Sequence, residues 1–156
     1  MRVLGVDPGS RATGYGVIEN DQVLSYGVIR PRERTLEKRL LEIYLELLEL
    51  IRAFSPKVMA LEEVLPESFP HAAVKLGQAQ GAALLAAAQS GLPVFLYHPL
   101  EVKKALTGYG NASKEQLNFM VRNLLAISGD LPLDASDAIS VALYHLQVSK
   151  FRAKLS

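Results

Sequence analysis

The sequence predicts an α/β fold built on a mixed five-stranded sheet with helices on both faces. Three observations carry this reading. Three short β-branched or aromatic runs open the chain, residues 2–7, 14–19 and 22–29, separated by the turn signals Asp-Pro-Gly-Ser and Glu-Asn-Asp, as in an antiparallel meander. Helical and strand-like segments then alternate, the pattern of βαβ units. With 156 residues, 49% of them hydrophobic, the chain can bury one full core and has no room for a second domain. One domain over 1–150 is expected, followed by a short basic tail, 151–156.

Between Thr35 and Phe54, the apolar residues Leu36, Leu40, Tyr44, Leu47, Ile51 and Phe54 recur at three- and four-residue spacing, so they share a helical face, and Ser55-Pro56 stops the helix. Val58–Leu61 reads as a buried strand that leaves Glu62 at its carboxyl end. A loop with Pro66 and Pro70 follows. The next helix, from about Ala72 to Gln89, carries Gly77 and Gly81 among alanines, so another backbone can approach it closely, in helix packing or a subunit contact. Residues 93–97 supply a fifth strand, and a short helix is expected around 100–106. Ser113 with Gln116 forms the capping box of the following helix, whose stripe is Leu117, Met120, Val121, Leu124 and Leu125. After Gly129 and Pro132, the last helix begins near Asp134.

The 17 basic and 16 acidic side chains nearly cancel, so attraction to nucleic acid has to come from local patches. Without cysteine there is no disulfide, thiolate metal site or cysteine nucleophile. A bound metal would rest on oxygen or histidine ligands, which suits magnesium or manganese. The chain starts on a strand-like run, Arg2–Val6, and not on a secretory signal, so a cytoplasmic location is expected. Its most apolar segment, residues 82–88, falls well short of the ~20 residues that span a bilayer, so no membrane association is expected.

The chemistry points to four acids. Asp7 and Glu62 close buried strands, at the sheet edge where α/β folds bind ligands, and Asp134 and Asp137 share a face in the first turns of a helix. Each has a structural alternative: Asp7 can open a turn, and Asp134 can cap the last helix. Converging in a cleft, the four would repel one another unless cations compensated them, and two divalent ions would balance them. In such a site one metal activates water and the other stabilises the departing oxygen of a phosphodiester displacement. Three strands leading into βαβ units is the layout of ribonuclease-H-like domains, shared at its start by phosphotransferases of the actin and sugar-kinase type. The phosphotransferase reading needs a second lobe, for which the length leaves no room.

Five blocks resemble the signature blocks of RuvC Holliday-junction resolvases, in order and over nearly the whole chain. They are Leu4-Gly5-Val6-Asp7-Pro8-Gly9-Ser10, Thr13-Gly14-Tyr15-Gly16, Leu61-Glu62-Glu63-Val64, Lys75-Leu76-Gly77-Gln78-Ala79 and Asp134-Ala135-Ser136-Asp137-Ala138. The resemblance implies a homodimer that nicks four-way junction DNA symmetrically, with Asp7, Glu62, Asp134 and Asp137 as magnesium ligands, and a branch-migration complex as partner. It also implies that Lys103 and Lys114 lie near the DNA backbone and the scissile phosphate. Glu63 would point to the opposite side if its strand continued. One departure stands out. The family usually carries an aromatic residue three positions after the second acid, to stack or wedge at the crossover, and this chain has Leu65, with Phe69 later in the same loop as a substitute. Two further readings stay open, a branched-DNA binding module that does not cut, and a related nuclease acting on RNA.

Overall fold

The computed structural model describes residues 1–65 and 70–156. Strands β1 (Arg2–Asp7), β2 (Thr13–Glu19) and β3 (Gln22–Ile29) form the antiparallel meander. Strands β4 (Val58–Glu62) and β5 (Val94–Tyr97) extend the sheet from the other side of β1, in parallel, giving the order β3-β2-β1-β4-β5. The mixed sheet follows from the connections: tight turns join β1 to β2 and β2 to β3, whereas α1 (Leu36–Phe54) and α2 (Pro70–Gln89) precede β4 and β5 as crossovers. Three more helices complete the described chain, α3 (Pro99–Thr107), α4 (Lys114–Leu124) and α5 (Leu133–Leu155). None of the described helices is long and apolar enough to cross a membrane.

Alternation along the strands separates two cores. Leu4, Val6, Val17, Met59 and Leu61 face α1 and α2, whereas Val3, Ile18, Val58, Ala60 and Tyr97 face α3, α4 and α5. In α1 the buried line is Ile43, Leu47 and Ile51; Leu40, Tyr44 and Phe54 are only partly buried. The face is wider than the expected stripe because the helix packs on the sheet beneath it and on α2 beside it. Burying a side chain such as Leu47 is worth about 1.5–3 kcal/mol. Ser55, in the left-handed region at φ 47°, ends α1 by donating its N–H to the Ile51 carbonyl.

The capping box of α4 is formed: the Ser113 hydroxyl accepts from the Gln116 N–H at 3.0 Å, and Gln116 Oε1 accepts from the Ser113 N–H at 2.8 Å. Lys114 therefore starts its helix in a fixed direction. Helix α5 starts one residue before Asp134, close to the expected place, but without an aspartate cap. Pro132 holds the N-cap position, the helix begins at Leu133, and no side chain caps it. Neither Asp134 nor Asp137 is used as a cap, which leaves both carboxylates free for other partners. The basic residues Lys150, Arg152 and Lys154 lie on the last turns of the same helix.

Candidate metal centre

The parity of two strands aims the first two acids. Asp7 shares its side of β1 with Val3, and Glu62 shares its side of β4 with Val58 and Ala60, so both project from the sheet edge toward α5. The β1–β2 turn is held by Thr13, whose hydroxyl donates to the Gly9 carbonyl at 2.6 Å and whose Oγ1 accepts the Gly9 N–H at 3.2 Å. Asp7 is thereby anchored at both ends.

Close approach of α5 supplies the third acid. A Cβ on Gly5 would lie 2.0 Å from the Ala138 carbonyl oxygen, and one on Gly14 would lie 1.9 Å from that of Asp134. Only glycine at these positions lets the first turns of α5 lie directly on β1 and β2. Asp137, 8% exposed, is carried down to the strand ends.

Carboxylate oxygens of Asp7, Glu62 and Asp137 lie within 4.8 Å of one another. Asp134 lines the same cleft but is not part of this trio. Three residues of α-helix leave two side chains roughly 60° apart around the axis, so the two aspartates share a side without sharing a point. The cleft, about 470 Å³, is lined by the four acids with Lys103 and Lys114, and by the apolar Val64, Leu65, Leu76, Pro99 and Leu100.

The electrostatics show a cluster that the protein does not itself neutralise. Burial and then Glu62, with Asp137 and Asp134 behind it, hold the Asp7 carboxyl well above its usual range. Asp137 is pushed up to about 6, chiefly by burial and Glu62, with Lys114 and Lys103 pulling the other way. Burial works against the Lys114 ammonium, yet Asp137, Asp7 and Asp134 keep it above the ordinary lysine value. Its Nζ is 3.4 Å from Asp137 Oδ2. An all-oxygen donor set this short of positive charge fits a hard divalent cation.

Two neighbours extend the strand ends. Strand β4 ends at Glu62, and the N–H of the exposed Glu63 donates to the Tyr97 carbonyl at 2.9 Å. Gln80 of α2 donates its side-chain amide to the Glu62 carbonyl at 3.3 Å, a contact between residues 18 apart that no motif announces. Leu100 was legible in principle, since it follows β5 at the same carboxyl edge. Phe69 lies outside the described residues.

The family model for the crossover junction endodeoxyribonuclease RuvC matches residues 3–145. A curated crossover junction endodeoxyribonuclease RuvC from Magnetococcus marinus is 44% identical over 94% of this chain and 84% of its own length. The structure of T. thermophilus RuvC in complex with a Holliday junction substrate superposes with a TM-score of 0.88, at 34% identity, covering 97% of this chain and 96% of that one. The yeast mitochondrial Holliday junction resolvase Ydc2, 14% identical with a TM-score of 0.59, covering 90% of this chain and 77% of that one, shares the ribonuclease-H-like fold.

Proposed function

Because the chain belongs to the RuvC family of crossover junction endodeoxyribonucleases, we propose that the carboxylate cluster is where it hydrolyses DNA. The chain is a hydrolase, an endonuclease that resolves Holliday junctions in recombination and repair. The observation that supports the site is the convergence of Asp7, Glu62 and Asp137 at the end of one cleft, beside Asp134 and two lysines.

Asp7, Glu62, Asp137 and Asp134 are proposed to hold magnesium, two ions per site, with manganese able to substitute. When bound, the ions supply Lewis-acid stabilisation and a nucleophile at neutral pH. The protein's own part is positioning and charge. Lys114 puts an ammonium where negative charge develops on the phosphate, and Lys103 orients the strand beside it. Leu65, and Phe69 by its place in the sequence, are assigned to contact with bases at the crossover.

A homodimer is assigned to the α1–α2 face. There Leu41, Leu45, Val74 and Leu85 are exposed, an apolar groove of about 410 Å³ runs between the helices, and open space faces Gly77 and Gly81. Two sites related by a two-fold axis match a substrate with that symmetry. Residues 1–150 are assigned to one nuclease domain and 151–156 to a basic extension, with a cytoplasmic location and a branch-migration complex as partner.

The test is cleavage of a synthetic mobile junction with magnesium by the wild type and by Asp7→Asn. Nicks from the wild type alone are expected, with junction binding retained in the variant. Equal cleavage by both would sink the assignment of the cluster.

A further inference from the structure

The catalytic cleft is a poor magnet for DNA. Four carboxylates line it, Asp7, Glu62, Asp134 and Asp137, against the two lysines Lys103 and Lys114. The chain as a whole offers only a formal charge of +1. A phosphate backbone, one negative charge about every 1.7 Å of duplex, has to be drawn in and held by cations outside the cleft.

Such cations lie along the same edge. Asp7 pairs with Gly14, and Thr13 pairs with Ile29, so the β1–β2 turn and the segment after β3 emerge beside the acids. Arg11 sits in the turn; Arg30, Arg32 and Arg34 follow Ile29, and all four are exposed. Two inter-strand spacings of about 4.8 Å put the end of β3 roughly 10 Å from the strand that carries Asp7. The segment is braced from α1: the Arg32 N–H donates to Glu42 Oε2 at 3.0 Å, and Arg39 Nη1 donates to the Arg34 carbonyl at 2.6 Å. Glu42 and Glu46 share a hollow with Arg30 and Arg32, yet none of the four guanidinium groups is in a salt bridge among the described residues. Planar, weakly hydrated guanidinium groups grip phosphate bidentately.

We propose that Arg11, Arg30, Arg32 and Arg34 form a second phosphate contact, a track for a duplex arm of the junction outside the cleavage site. The proposal rests on the nuclease reading above. It assigns the outer track to the β3 side of the sheet edge, separate from Lys103 and Lys114 on the helical side.

The experiment is the salt dependence of junction binding without divalent metal, so that no strand is cut, for the wild type, R30Q/R32Q/R34Q and R30K/R32K/R34K. Each lost phosphate contact lowers the slope of log K against log salt by about 0.9, so the glutamine variant is expected to be shallower by roughly 2–3. The lysine variant keeps the charge and is expected to keep the wild-type slope. A glutamine variant with the wild-type slope overturns the proposal, and so does a lysine variant as shallow as the glutamine one. A wild type that cuts junctions, beside an unchanged glutamine slope, sinks this inference alone. A wild type that neither binds nor cuts them sinks the nuclease reading and this one with it.

Discussion

Lys114 Nζ and Asp137 Oδ2 stand 3.4 Å apart, a half-exposed ammonium against a carboxylate that is 92% hidden from solvent at its side chain, since only 8% remains accessible. The pair joins the first residue of α4 to the second turn of α5, and the Ser113–Gln116 capping box fixes where that first residue points. Among the described residues it is the one salt bridge at the cluster, so Lys114 is the protein's nearest counterweight to the acids.

Lys114→Ala is expected to lower single-turnover cleavage by about 10²–10³-fold, the usual cost of removing one donor aimed at developing charge. Junction affinity should change far less. Quench-flow cleavage beside a binding titration checks this, and a loss confined to affinity would move Lys114 out of the chemistry.

The raised Asp137 carboxyl gives a pH signature in the metal-free protein. Its folded value of about 6 lies above the ordinary 3.8, so the native state holds a proton that the unfolded chain releases. The associated stability is present below the ordinary value and is lost as pH rises through about 6. Asp137→Asn removes the titration. Its melting temperature is therefore expected to match or trail that of the wild type near pH 4 and to exceed it above pH 6, a gap that magnesium narrows by stabilising only the wild type. Thermal melts between pH 4 and 8 measure it, and a gap independent of pH would refute the mechanism.

Gly14→Ala would drive a methyl group to 1.9 Å from the Asp134 carbonyl oxygen, a backbone atom that cannot swing aside. Overpacking of this kind costs typically about 1–3 kcal/mol. We expect lower stability in urea melts together with weaker magnesium dependence of cleavage, because the first turn of α5 has to lift. An alanine variant that keeps both wild-type values would show that the close approach is dispensable.

Leu85, 65% exposed, lines the apolar groove between α1 and α2. If that face joins two copies, Leu85→Glu buries an unpaired charge at the contact and shifts the mass seen by light scattering toward one chain. An unchanged mass would place the two-fold elsewhere.

The strand ends were legible because a strand announces its burial locally: Val3–Val6 and Val58–Leu61 are contiguous apolar runs, and the acid follows each. Which aspartate of α5 meets them was not. That choice depends on helix phase, set by the start at Leu133 and by contact with Gly5 and Gly14, more than a hundred residues away in the chain. Nor does α5 show a stripe, since residues Ala135–Leu143 are buried without interruption and leave no polar face to alternate with. The end of β4 was not legible to the residue, since strand boundaries are set by partners: the Glu63 N–H still bonds to the Tyr97 carbonyl just past the last ladder pair. Gln80 is a lone tertiary contact, with nothing periodic to betray it.

The unbroken burial of α5 from Ala135 to Leu143 also sets a timescale. Amides in such a segment exchange with solvent only when the whole domain opens, and the turn that carries Asp137 belongs to it. The centre thus has no private lifetime. Protection of the amides around Asp137 should match the global unfolding free energy, and heat should extinguish catalysis at the temperature that melts the sheet.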